Sequence, residues 1–210
     1  MKARLLALGR AFVNLIYPLS CSVCGTKMAQ NTGLCEECLA KVQRNDHGIA
    51  ACQYDSVIKK AVHLFKYSGV MSLVNSFSVI LMEFIAKRID MRNIDVIVPI
   101  PLHPVKLRER GFNQSGLLCG YISRQYGVPV EPAWLVKVRN TRPQSALNRK
   151  ERLGNLKDAF LAKDHGLLRG KRVLLVDDIS TTGTTIREAA RALKKAGASA
   201  VRAVTLAQGV

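Results

Sequence analysis

The sequence predicts an α/β protein, a mostly parallel sheet flanked by helices, with a small cysteine-rich module at its N-terminus. Three observations carry that prediction. From about residue 50 onward, short apolar runs alternate with amphipathic stretches of helix length, as β-α-β units do. One run, Val173-Leu174-Leu175-Val176, is apolar at every position, as a strand covered on both faces must be. Ahead of this pattern stand two Cys-x-x-Cys pairs. A chain of 210 residues, 48% hydrophobic and 22% charged, suits one globular domain with an appendage. The expected division is 1–48 for an N-terminal helix and the module, and 49–210 for the α/β domain.

At the N-terminus, Leu5, Leu8, Phe12 and Leu15 recur at helical spacing, so a short amphipathic helix is expected to pack its apolar face on the domain. Attachment to a membrane surface is the alternative use of such a face. Lys2 and Arg4 before leucines resemble an export signal, but Arg10 and Asn14 interrupt the apolar run and no small-x-small cleavage pattern follows. No apolar run reaches bilayer length, and a cytoplasmic protein is expected.

The first cysteine pair, Cys21 and Cys24, is separated by ten residues from the second, Cys35 and Cys38. Each pair lets two thiolates converge on one ion, and together they close a tetrahedral shell of the kind zinc takes in structural sites. A full shell leaves no position for water, so the role is structural. Disulfides are the competing reading, which the lack of an export signal disfavours. Cys52 and Cys119 stand alone among apolar residues and are expected to be core thiols. His47, His63, His103 and His165 show no ligand spacing.

Helices are expected over 57–66, 73–87, 115–125 and 187–196, the last closed by Gly197. Strands are expected over 94–100, 134–138, 173–176 and 200–206. After the 173–176 strand come two acids, Asp177 and Asp178, and then Ser180, Thr181, Thr182, Gly183, Thr184 and Thr185. A strand, a hydroxyl- and glycine-rich turn and a helix N-terminus form an anion site, because free N–H groups and the helix dipole face the ligand. The same residue types also serve ordinary turns and caps.

Two further segments carry charge. Pro99 to Gln114 leaves the carboxyl end of a strand and crowds Lys106, Arg108 and Arg110 beside Gly111, Asn113 and Gln114. Arg139 to Leu156, with Arg139, Arg142, Arg149, Lys150 and Arg152, reads as a long polar connection over a site. Lys66, Arg108, Arg110, Arg139 and Arg142 are the candidate contacts for a polyanion. The net charge of +17 exceeds what a phosphorylated substrate requires, so a nucleic acid or another extended polyanion, single-stranded DNA among them, is an expected partner, with a diffuse solubilising surface as the alternative. Tyr67 beside Lys66 and Phe112 beside Arg110 are aromatics on which bases stack, with a core role open for either.

Residues 173–185 resemble the phosphoribosyl pyrophosphate (PRPP) motif of type I phosphoribosyltransferases. That resemblance implies that Asp177 and Asp178 hold the ribose 2- and 3-hydroxyls as the catalytic acids. It further implies that Ser180 to Thr185 bind the 5-phosphate, magnesium accompanies the diphosphate, and the loop after 94–100 binds pyrophosphate. With the four cysteines, Phe65-Lys66-Tyr67-Ser68-Gly69, Pro99-Ile100-Pro101-Leu102-His103-Pro104, Arg108 to Gln114 and Thr141-Arg142-Pro143-Gln144 with Leu147, the chain resembles the ComF/GntX family. The family implies a zinc finger joined to a phosphoribosyltransferase domain, natural transformation, and competence or DNA-processing partners. Thr181 stands where 6-oxopurine phosphoribosyltransferases carry an aspartate, and a threonine cannot accept a proton at neutral pH. Hypoxanthine and guanine are therefore not the expected acceptors. The expected function is PRPP binding tied to DNA uptake, with an active phosphoribosyltransferase in nucleotide salvage as the alternative.

Overall fold

A computed structural model describes residues 19–139, 158–163 and 166–209. The expected N-terminal helix, and Arg142 with the rest of 140–157, lie outside these. The cysteine module begins with an antiparallel bridge between Ser20 and Lys27 and continues to α1 (Glu36–Ala40), capped by Cys35. Next come β1 (Ala50–Gln53), α2 (Ser56–Tyr67) and α3 (Leu73–Arg88). Then follow β2 (Val96–Pro99), α4 (Pro104–Arg110) and α5 (Gln114–Tyr126). β3 (Leu135–Lys137) and β4 (Phe160–Ala162) form a ribbon ahead of β5 (Arg172–Ser180), α6 (Thr184–Lys195) and β6 (Ala200–Gln208).

The main sheet has the order β1-β6-β5-β2 with every pairing parallel. Its residues alternate between two cores because strand side chains alternate between faces. Leu174 and Val176 of β5 point toward the core built by α2, α3, α5 and the cysteine module. Val173 and Leu175 point toward α6 and the β3–β4 ribbon. All four are fully buried, as the apolar run requires. A parallel sheet sets every carboxyl end on one edge, which is where α/β folds receive ligands.

Several expected bounds move. The 173–176 strand extends to Ser180, because β6 continues beside it to the Ser180–Gln208 pair, so the acids lie within the strand. The last helix begins at Thr184, three residues before the expected start. Trp134–Val138 does not join the parallel sheet; its core, Leu135–Lys137, pairs antiparallel with Phe160–Ala162. The basic turn after β2 is the short helix α4, with Pro104 at its start, His103 as its cap and Gly111 closing it. β1 went unanticipated: Ala-Ala-Cys-Gln has little strand propensity, and pairing with β6 supplies the conformation.

The module and the helices share one core. Cys21, Leu34, Cys35, Cys38 and Val42 are buried with Phe65, Leu73 and Phe77 of α2 and α3. Ser76 Oγ donates to Thr32 O at 2.6 Å and accepts from Leu34 N at 3.1 Å. Gly33 sits so close to the start of α3 that a Cβ there would lie 2.6 Å from Leu73 Cα.

Candidate functional site

Among the described residues, the Sγ atoms of Cys21, Cys24, Cys35 and Cys38 all lie within 4.8 Å of one another. Tetrahedral thiolates at a Zn–S distance of about 2.3 Å stand about 3.8 Å apart, so this cluster fits zinc with small adjustments. Thr26 beside Cys24, through its hydroxyl and then its backbone N–H, pulls that thiol down to about 6, while burial pushes Cys38 up. Metal binding replaces such protons outright. Cys52 and Cys119 are fully buried; burial pushes the Cys52 thiol up to about 12 and raises Cys119 as well, as inert core thiols require. The cluster fits a structural zinc.

At the carboxyl edge of the sheet, Asp177 and Asp178 are 8% and 9% exposed. Asp177 Oδ1 accepts from Ser115 Oγ at 3.0 Å and from Asp178 N at 2.9 Å. Asp178 Oδ1 accepts from Ile179 N at 2.7 Å, and Asp178 Oδ2 meets Lys66 Nζ at 2.7 Å. Burial, and then the charge of Asp178, pushes the Asp177 carboxyl upward; Lys66 and the hydrogen bonds oppose that rise. Asn113 caps α5 by accepting from Ser115 N, which fixes Ser115 under Asp177.

Beyond the acids, Gly183 turns the chain with φ 69° and, as the N-cap of α6, has no side chain with which to cap it. Thr182 Oγ1 and Thr184 Oγ1 lie 2.8 Å apart. Arg187 crosses the loop, donating to Thr182 O at 2.9 Å and to Thr184 Oγ1 at 3.0 Å. Hydroxyls, the N-terminus of α6 and a guanidinium thus surround one turn beside two carboxylates. Such an arrangement suits a ligand with both an anionic group and hydroxyls.

The structure brings Lys66 onto the diacid, in the same run as Ser180–Thr185. Arg110 stays at the rim, its Nη1 donating to Gln114 Oε1 at 3.2 Å and its Cζ lying 5.5 Å from the Tyr67 ring centroid. Arg108 is exposed on α4, and Arg139 is exposed where β3 leaves the described residues. Tyr67 is 68% exposed, whereas Phe112 packs on the core 5.3 Å from Phe65. A cavity of about 540 Å³ lies elsewhere, between the module and α3, lined by Met28, Leu34, Glu36, Ser76 and Val79.

Residues 117–209 match the phosphoribosyl transferase domain family, and residues 12–54 match the double zinc ribbon domain. Competence protein F of Haemophilus influenzae is 29% identical over 192 residues, spanning 90% of this chain and 84% of that protein. DNA utilization protein YhgH of Escherichia coli K12 is 30% identical over 185 residues, spanning 87% of this chain and 81% of that protein. The chain belongs to the competence protein F (ComF) family. Its parallel sheet with flanking helices resembles the phosphoribosyltransferase fold. Among solved structures, the PRPP amidotransferase of B. subtilis aligns at 26% identity with a TM-score of 0.37, covering 53% of this chain and 22% of that one.

Three residues around the diacid stand outside the sequence-based expectations, two of them without a local signal. Ser115 reaches Asp177 across 62 residues, and nothing local marks it. Lys137 on β3 has its ammonium depressed by burial and, beyond that, by Lys106 and Arg110, while Asp177 acts the other way. It therefore belongs to the positive rim around Asp177. Arg187 carried a legible signal: a cation in the first turn of a helix opposes the dipole, which favours an anion there.

Proposed function

We propose that this ComF-family protein binds PRPP at the Asp177–Asp178 edge and single-stranded DNA on the adjoining basic rim. The observation that carries the first half is the pairing of two buried carboxylates with the hydroxyl loop at the start of α6. In this reading Asp177 and Asp178 accept hydrogen bonds from the ribose 2- and 3-hydroxyls. The N–H groups and hydroxyls of Ser180 to Thr185, with Arg187, take the 5-phosphate. The diphosphate extends toward Arg110, Lys106 and Lys137, and a magnesium ion travelling with it supplies further charge neutralisation. Arg139 and Arg142 are proposed to close on the same group. The proposed units are residues 1–48 and 49–210, in a cytoplasmic protein working with DNA-processing partners.

The DNA half is supported by the names of the relatives, by the net charge of +17, and by Tyr67, an exposed ring beside Arg110 at the same rim. Among the described residues no helix is long and apolar enough to cross a membrane. A second reading, an active phosphoribosyltransferase, is favoured by the same diacid. Carboxylates beside the ribose and cations beside the diphosphate would stabilise an oxocarbenium-like ribose and its leaving group. Thr181 offers no proton acceptor for a 6-oxopurine, so the acceptor would be of another class.

Calorimetric titration of PRPP with magnesium tests the site. Wild type is expected to bind, and Asp177→Ala with Asp178→Ala to lose binding while keeping zinc content and far-UV dichroism; undiminished affinity in that variant rules the assignment out. Gel shifts with single-stranded DNA across a salt series test the rim, where a steep loss of affinity with salt is expected. Pyrophosphate release over a panel of bases separates the enzyme from the binding protein.

A further inference from the structure

Lys66 is paired inside the protein. Its Nζ lies 2.7 Å from Asp178 Oδ2, with the two side chains only 16% and 12% exposed. Three of the four carboxylate oxygens of the diacid are engaged by the chain itself, and Asp177 Oδ2 is the one without a hydrogen bond among the described residues. We infer that Lys66 is a positioning residue, the resident counter-ion of Asp178, which makes this edge select a neutral sugar diol over a bare divalent cation. The inference rests on the PRPP reading above and assigns Lys66 a different task from direct pyrophosphate contact.

Two adjacent aspartates otherwise form an ordinary site for a hard cation. Magnesium needs a near-octahedral set of oxygens and gives up water reluctantly. Here one uncommitted carboxylate oxygen faces it, with an ammonium already in place. A ribose diol meets no such obstacle. Its hydroxyls donate to carboxylate lone pairs, and its oxygens accept from the ammonium, which has three N–H groups and needs only one for Asp178. The divalent ion is thereby left to enter with the diphosphate, on the side where Arg110, Lys106 and Lys137 gather.

The test uses the zinc-loaded full chain and two probes. Manganese alone is titrated while the free-ion spin-resonance signal is followed, and PRPP with magnesium is titrated by calorimetry. Wild type and Lys66→Arg are expected to leave the manganese signal unreduced. Lys66→Met is expected to take up one equivalent, and Lys66→Met with Asp178→Asn to lose that uptake again. PRPP affinity is expected to fall about 10–100-fold in Lys66→Met, the usual effect of removing a residue that supports a ligand-bearing group, and to be largely kept in Lys66→Arg. Equal manganese uptake by wild type and Lys66→Met, or unchanged PRPP affinity in Lys66→Met, overturns the inference. Should Lys66→Met fail to fold by dichroism and zinc content, Lys66→Gln replaces it in both arms. If wild type does not bind PRPP, the proposed function fails, and the manganese comparison alone still decides the role of Lys66.

Discussion

Asp95 and Arg172 meet at the end of the sheet opposite the diacid, where β2 and β5 begin. The Asp95 carboxylate accepts from Arg172 Nη2 at 2.7 Å, Arg172 Nε at 3.1 Å and Arg172 N at 2.7 Å. The guanidinium, and then the backbone N–H, hold its carboxyl down at about 2. A folded value below the unfolded one of about 3.9 means that the unfolded chain binds more protons in between. The stabilisation is therefore present above the unfolded value and is lost as pH falls from about 4 through about 2. Asp95→Asn should remove that component, so the melting-temperature gap between wild type and variant should close as pH falls through this window. Comparing the two proteins cancels the acid release of zinc that both share. At the rim, Tyr67→Ala should weaken single-stranded DNA binding by about 1–3 kcal/mol for one lost stacking contact and leave the salt slope unchanged. Equal affinities for the two proteins in fluorescence anisotropy would contradict a stacking role. Exposure and rim position single out Tyr67; Phe112 is excluded because it is packed against Phe65.

At the scale of elements, what was legible followed from contiguity. Asp177 to Thr185 lie in one run, so the order of strand, turn and helix could be read directly, although pairing with β6 carries the strand on to Ser180 and the helix begins at Thr184. The helices α2, α3 and α5 were read within two residues at each end because each carries an apolar face and a defined stop. Lys66 and Ser115 were different. They reach the acids only after the chain has folded, across 112 residues from Lys66 to Asp178 and 62 from Ser115 to Asp177, and no local spacing encodes such a contact. β1 escaped for the same reason, being a strand only because β6 lies beside it. Gly33 is the clearest place where two elements constrain one residue. Its φ of +87° disfavours a side chain, and a Cβ would lie 2.6 Å from Leu73 Cα and 2.7 Å from Leu73 N. The left-handed backbone alone costs about 1–2 kcal/mol for a non-glycine residue, and backbone atoms cannot yield as a side chain tip does. Gly33→Ala should therefore destabilise by more than about 2 kcal/mol in urea unfolding, with the module displaced from α3. A change under about 0.5 kcal/mol, the usual size for an unconstrained surface site, would refute the close approach.

At the scale of the whole molecule, the cysteine cluster and the diacid edge depend on one body of packing. Cys21, Cys35 and Cys38 are buried in the same core as Phe65, and Lys66, the next residue along α2, holds Asp178. Lys60 Nζ donates to Val23 O at 2.6 Å, a second tie from α2 to the module. The excess of positive charge was legible from composition, but its relation to the diacid was not, since Lys106, Arg110 and Lys137 converge from separate elements. A structural zinc should thus stabilise more than the ribbon that binds it. Zinc contributes on the order of 10 kcal/mol to the folding of isolated finger peptides, and some of that is transmitted wherever the core is shared. Cys38→Ser should lower zinc content and move the main calorimetric transition down by at least about 5 °C, given that 1 kcal/mol shifts a chain of this size by about 2–4 °C. PRPP binding should weaken in the same variant even though Cys38 lies in the module, because α2 carries both the module contacts and Lys66. If the variant instead shows a small separate transition with the main one unmoved, the module folds on its own and the shared core does not couple metal to ligand. Restoration of the melting temperature by excess zinc in wild type stripped with chelator, but not in Cys38→Ser, would attribute the effect to the metal and not to the lost thiol's packing.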